Sequence, residues 1–286
     1  TFAECLRDAG YRTGFFGKWH LGGKGHGPAD QGWQTALELH GNTQPPAVTG
    51  GETRRTAEFL TEQALRFIES NRDAPFLLQV SHCAVHIPLS TTPELLAKYQ
   101  NKAAMPGYPS RPEYAGLLEE LDQSVGDITA AVDRLGLAEN TLIFFVSDNG
   151  GLVHQQDGTV VTSNHPLREE KGTLYEGGIR VPAIARWPRT VPAGAICDTP
   201  AITYDLFPTL VALTSAAAPA GQAFDGVSLA QLLRNPASAL PRDALHWHLP
   251  HYHHSTPASA MRQGDWKLIE FFEDQRVELY NLAADI

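Results

Sequence analysis

Thr141-Leu142-Ile143-Phe144-Phe145-Val146-Ser147-Asp148-Asn149-Gly150-Gly151 is a run of β-branched and aromatic residues that ends in a carboxylate, a carboxamide and two glycines. An uninterrupted apolar run of this length, without alternation, fits a strand covered on both faces, as in an α/β sheet. In open α/β sheets ligands collect beyond the carboxyl ends of the strands. Asp148 and Asn149 therefore stand where a hard cation would be met by side-chain oxygen. The two glycines remove side chains from that place and permit a positive φ. Taken alone, the tetrapeptide is more often an Asn-Gly turn capped by Asp.

Outward from this run, helical and strand patterns alternate. The spacing of Tyr114, Leu117, Leu118, Leu121, Val125, Ile128, Val132 and Leu135 predicts a helix closed by Gly136, and Ala57, Leu60, Ala64, Leu65 and Ile68 predict another over 53–70. Pro75-Phe76-Leu77-Leu78-Gln79-Val80 between them suits a buried strand, as does 181–185. Residues 1–9 read as a helix end closed by Gly10, and 205–213 as a helix broken early by Pro208. The Ala/Pro-rich stretch 215–221 has the composition of a linker. The tail offers 246–249, 266–271 and 277–280, three strand candidates without helices between them. The expected architecture is α/β: a mixed, mostly parallel sheet flanked by helices over 1–240, with a small antiparallel subdomain over 241–286.

With 286 residues and 42% hydrophobic content the chain can bury a large core, and its net charge of -10, without basic runs, argues against nucleic acid or an anionic membrane as partner. No apolar run reaches the roughly 18 residues of a membrane span. The three cysteines, Cys5, Cys83 and Cys197, have neither disulfide nor zinc spacing.

Gly17-Lys18-Trp19-His20 places a cation and an imidazole two residues apart. In an extended backbone both would point to one side, towards one small anion. In His82-Cys83-Ala84-Val85-His86-Ile87-Pro88 the proline and the preceding strand argue against a helical zinc pair. One imidazole aimed at a ligand fits better, and His82 reads as structural. In Arg168-Glu169-Glu170-Lys171-Gly172-Thr173-Leu174-Tyr175-Glu176-Gly177-Gly178 the lysine taken alone is a solvated loop residue, and Glu176-Gly177-Gly178 reads as a tight turn. Gly22-Gly23-Lys24-Gly25-His26-Gly27 matches neither a P-loop nor a dinucleotide fingerprint and reads as a mobile loop.

These elements, in this order and at strand ends, resemble the signatures of the formylglycine-dependent sulfatase family, which belongs to the alkaline-phosphatase-like superfamily. The resemblance extends through Asp205-Leu206-Phe207-Pro208-Thr209-Leu210 to Arg262-Gln263-Gly264-Asp265-Trp266-Lys267-Leu268-Ile269. It implies a sulfuric ester hydrolase with one calcium ion. Lys18 and Lys171 would neutralise sulfate oxygens, His86, selected by the family's His-x-Pro pattern, would serve the leaving oxygen, and His20 would act near the nucleophile. Asp148 and Asn149 would be two of the metal ligands. The formylglycine and two further aspartates are expected upstream of Thr1, and Tyr108-Pro109-Ser110-Arg111 imitates the nucleophile motif without its cysteine. The chain alone is accordingly expected to be inactive and to fold poorly. The resemblance also implies work in a periplasm, a lysosome or outside the cell.

His246, His248, His251, His253 and His254, with Trp247 and Tyr252, suit three uses: lining a substrate pocket, an exposed loop, or a transition-metal site. Imidazole and aromatic groups fit sugar rings and their sulfates, so His251 and His253 are candidates for contact with a carbohydrate sulfate. A phosphomonoester, phosphodiester or phosphonate hydrolase of the same superfamily, or an inactive anion-binding fragment, is the alternative. The two lysines favour the sulfatase, because a second metal site would want carboxylates or histidines there.

Overall fold

A computed structural model describes residues 1–155 and 157–286. The chain divides into two compact units. One comprises Thr1–Lys102, Pro112–Ile143 and Arg186–Leu240, the other Ala103–Arg111, Phe144–Ala185 and Pro241–Ile286.

The first unit is built on a parallel sheet in the order Thr35–Glu38, Arg12–Gly17, Phe76–Ser81. Its central strand, Arg12–Gly17, is buried at every position after Arg12. Strand alternation sends Phe15 and Phe16 to opposite faces. Phe16 meets Leu60, Ala64 and Phe67 of the helix Thr56–Asn71, and Phe15 meets Ala3 and Trp33. Gly14 lets that helix lie close, since a Cβ there would stand 2.8 Å from the Phe67 ring. The long helix Pro112–Arg134 packs beside it. The helix predicted over 53–70 starts later, at Thr56, because Arg54–Arg55 pair with Thr43–Gln44 as a short antiparallel ladder. Pro208 does not break its helix: Leu206–Leu213 holds the proline in the first turn, where no backbone N–H is needed. The stretch with linker composition is docked on the core, with Ala216 buried against Cys5 and Leu6.

The strands Ile143–Val146 and Ala183–Arg186, which belong to the second unit except for Ile143 and Arg186, pair with each other. A four-stranded antiparallel sheet runs in the order Val277–Asn281, Trp266–Phe271, Ala258–Gln263, Leu245–Leu249. Its inner face, with Ala258, Ala260, Ile269 and Phe271, is covered by Leu174 and Tyr175. That packing is why the unit beginning at Pro241 also takes in residues around Lys171. Among the described residues no helix is long and apolar enough to cross a membrane.

Candidate functional site

In the first unit Lys18 follows directly on the central strand, and its N–H donates to the carbonyl of Ser81 at 2.9 Å. Gly17 makes this close approach possible: its φ is 120°, and a Cβ would overlap the Ser81 carbonyl. The strand ends at Gly17, and His20 adopts a left-handed φ of 55°. The extended Lys18–His20 geometry expected from the sequence is therefore wrong: the two-residue alternation does not survive a left-handed residue. Trp19 fixes the turn instead, with its ring edge on Phe15 at 5.1 Å and its Nε1–H donating to the His26 carbonyl at 2.8 Å. The glycine-rich loop thus has at least one fixed anchor.

His86 is exposed, and its Nδ1 lies 2.6 Å from the Ile87 carbonyl. A carbonyl can only accept, so in the neutral ring Nδ1 carries the hydrogen and Nε2 presents a lone pair. The turn is held by Asn42, whose side-chain amide donates to the carbonyls of His86 (2.8 Å) and Pro88 (3.1 Å). Cys83 lies between the two candidate groups: its carbonyl accepts from the His86 N–H, and the Lys18 ammonium acts on its thiol. Burial pushes that thiol up despite Lys18, which leaves it unreactive.

His82 is structural by its surroundings. Thr61 Oγ1 donates within reach of both the Ala57 carbonyl and Ser124 Oγ, and Ser124 Oγ lies 3.2 Å from His82 Nε2. Burial holds the His82 imidazole down at about 4, and among the described residues its Nδ1 has no hydrogen-bond partner.

In the second unit Asp148 is exposed at the carboxyl end of its strand. Asn149 donates from Nδ2 to the Gly150 carbonyl at 2.8 Å, which reserves Oδ1 as its acceptor. One carboxylate and one carboxamide oxygen are the hard donors that calcium or magnesium takes, but they are two of the six to eight that calcium needs. Among the described residues no group of three or more His, Cys, Asp or Glu could hold a metal ion.

Lys171 is joined to that strand end by backbone. Its N–H donates to the Gly151 carbonyl at 3.2 Å, and the Gly150 N–H donates to the Gly178 carbonyl at 2.9 Å. Asn164 clamps both loops: its Oδ1 accepts from the Gly151 N–H at 3.1 Å, while its Nδ2 donates to the carbonyls of Gly151 (2.8 Å) and Glu169 (3.0 Å). Cβ atoms on Gly150, Gly177 or Gly178 would overlap neighbouring backbone carbonyls. Glu176–Ile179, read from the sequence as a turn, is one helical turn whose Glu176 is buried with Lys267 at 2.7 Å. Burial draws the Lys267 ammonium down, against the pull of Glu176.

His246 and His248 share the exposed face of their strand, and His251 and His253 lie exposed beyond it. Burial, then His254, Lys171 and His251, hold the His253 imidazole below its ordinary range, which puts this ring beside Lys171. Sequence reasoning missed Asn42, Asn164, Glu170 and Lys267. Of these, Lys267 had a signal: in Trp266–Phe271 it alternates onto the face of Ile269 and Phe271, the buried one.

Comparison with known proteins bears on both units. The profile of the family described as Sulfatase matches residues 1–216, and that of the N-sulphoglucosamine sulphohydrolase C-terminal region matches 168–286. A protein named Sulfatase from Formosa agariphila is 33% identical over 274 residues, covering 88% of this chain and 48% of its own length. The N-acetylgalactosamine-6-sulfatase of Canis lupus familiaris is 31% identical over 259 residues, covering 79% and 47%. This chain thus spans about half the length of these relatives. Among solved structures, that of Ps i-CgsB superposes with a TM-score of 0.83 at 27% identity, covering 99% of this chain and 68% of that one. A phosphonate monoester hydrolase from Silicibacter pomeroyi shares the fold, with a TM-score of 0.68 at 17% identity.

Proposed function

Because the chain belongs to the sulfatase family, we propose that its residues serve the hydrolysis of a sulfate ester, and that the ester is borne by a carbohydrate. The observation that carries this reading is the lacing of Lys171 to the Asp148–Gly151 loop. It joins the backbone of the ammonium-bearing residue to the loop that bears Asp148 and Asn149. Lys171 and Lys18 neutralise sulfate oxygens, a form of stabilisation that grows as charge develops on the oxyanion. His86, with Nδ1–H tied to the Ile87 carbonyl, protonates the leaving oxygen from Nε2–H as the imidazolium and is left as the neutral ring with its lone pair on Nε2. His20 attends the nucleophile, which in this family is formylglycine.

Asp148 and Asn149 would hold calcium jointly with donors beyond the two they supply. When bound, calcium supplies positive charge against the sulfate group and the nucleophile. His251 and His253 contact the sugar. Support for a carbohydrate comes from the sugar-sulfatase relative and from the structure of Ps i-CgsB in complex with a neocarrahexaose. Work outside the cytoplasm follows the same family reading.

The test is an assay of the full-length protein containing these residues against 4-nitrophenyl sulfate, 4-nitrophenyl phosphate and a phenyl phosphonate ester. The sulfate ester is expected to turn over fastest, with loss of about 100-fold or more in Lys171→Ala and loss on calcium chelation. Preference for a phosphorus ester would overturn the reading.

A further inference from the structure

Lys171 is flanked by two residues that each meet a histidine of the 251–254 loop. On one side the Glu170 carboxylate is buried, with Oε2 accepting from the N–H groups of Val153 and His154. Its Oε1 faces two imidazoles, His254 Nδ1 at 3.7 Å and His154 Nδ1 at 3.9 Å. On the other side Gly172, at φ 83°, has no side chain, and the His253 ring occupies the place a Cβ would take. The His253 and His254 rings lie 4.6 Å apart, and the His253 N–H donates to the Ser255 carbonyl at 3.2 Å. The ionisable groups gathered here are Glu170, Lys171, His154, His251, His253 and His254.

Among the described residues Glu170 has no lysine or arginine partner, so the groups that can offset its buried carboxylate are the imidazoles it faces. Oε2 is already spent on two backbone donors, so Oε1 is the oxygen that meets a histidine, and its distances become hydrogen bonds with a movement of less than about 1 Å. His254 sits on the loop that bears His253, so whatever fixes His254 also fixes His253 beside Lys171.

We propose that Glu170 and His254 form a clasp that holds the histidine loop down on the Lys171 segment, making both of them positioning residues of the substrate site. This rests on Lys171 being a sulfate contact. Neither residue touches the reacting atoms. Their effect is to keep His253 partly desolvated against Gly172, so that ammonium and imidazole meet the substrate as one preformed surface.

The experiment uses the full-length protein and Glu170→Gln, which keeps the acceptor for the two backbone donors and removes the charge. KM for a monosaccharide 6-sulfate is expected to rise about fivefold with kcat within about twofold, a loss of binding without loss of chemistry. Titration of the His253 ring, followed by NMR at Cε1–H, is expected to move up towards that of an exposed imidazole. Loss of a nearby negative charge would by itself move it down, so an upward move reports release of the loop. A His253 titration that stays or falls overturns the clasp, whatever KM does. Should Glu170→Gln fail to fold, amide hydrogen exchange at His253 in His254→Gln reads the same release. Acceleration of about tenfold is expected there, and unchanged exchange overturns the proposal. Lys171→Ala separates the two ideas: an unchanged kcat/KM there removes the sulfate contact and leaves the clasp standing on the His253 titration alone.

Discussion

The segments that carry Lys18 and Lys171 present the same kind of group by different means. Lys18 leaves a parallel strand whose direction is set by hydrogen bonds to both neighbours and by Phe15 and Phe16 on opposite faces. Lys171 lies on a loop shaped by glycines packed backbone to backbone, one clamping asparagine and a buried ion pair beneath. The difference teaches that a sheet can direct a cation-bearing segment through its own hydrogen-bond ladder and apolar packing. A loop has no ladder, so its backbone groups need dedicated polar partners and room for close approach.

The sharpest attempt to break this contrast is Gly177→Ala. Its Cβ would enter the carbonyls of Arg168 and Glu169, which are backbone and cannot rotate away. A loss of about 4 kcal/mol or more in urea unfolding is expected. A mild effect would mean that the loop adapts and that glycine lacing does not define it.

Next comes Lys267→Met, which leaves the Glu176 carboxylate buried without its 2.7 Å partner. Arg180 and Arg262, at 3.8 and 3.9 Å, compensate in part. The expected loss is therefore about 3 kcal/mol, at the low end for a broken buried pair. Adding Glu176→Leu should restore most of it, and an unrestored double variant would show that the charges themselves specify the packing.

The first unit buries an imidazole where the second buries opposite charges, and pH separates the two. His82 titrates at about 4 when folded and near 6.5 when unfolded, so between those values the unfolded chain binds more protons. Its contribution to stability is complete above the unfolded value and falls by about 3 kcal/mol as pH drops from 6.5 to 4. Urea midpoints at the two ends of this window should differ less in His82→Asn than in the unaltered protein, and an equal difference would refute the assignment. The smallest effect, about 2 kcal/mol, is expected for Asn164→Ala, from loss of its three bonds to Gly151 and Glu169.

The same contrast governs what was legible in the sequence. Phe76–Ser81, Ile143–Val146 and the helix Pro112–Arg134 could be read because apolar burial writes a period into the chain. Ala258–Gln263 was missed, because its inward residues are alanines, whose small size suits the Leu174 and Tyr175 cover but carries little strand propensity. The turn at His20 was misread because one left-handed residue leaves no periodic trace. Lys18, His86 and Lys171 became candidates because the stretches around them resemble the sulfatase signatures. Asn42, Asn164 and Glu170 could not be picked out, since each serves backbone groups that are distant in sequence.

The Glu176–Lys267 bond spans 91 residues, and it fixes when the Lys171 loop can take its final form. A ribosome adding about 5–20 residues per second reaches Lys267 roughly 5–20 s after Glu176. Throughout that interval the nascent loop must wait with a glutamate destined for burial still in water. Chaperone occupancy or translational pausing before the last strands would therefore bear on the maturation of the second unit, and the three described strands around Arg12–Gly17, all made by Ser81, would be indifferent to it.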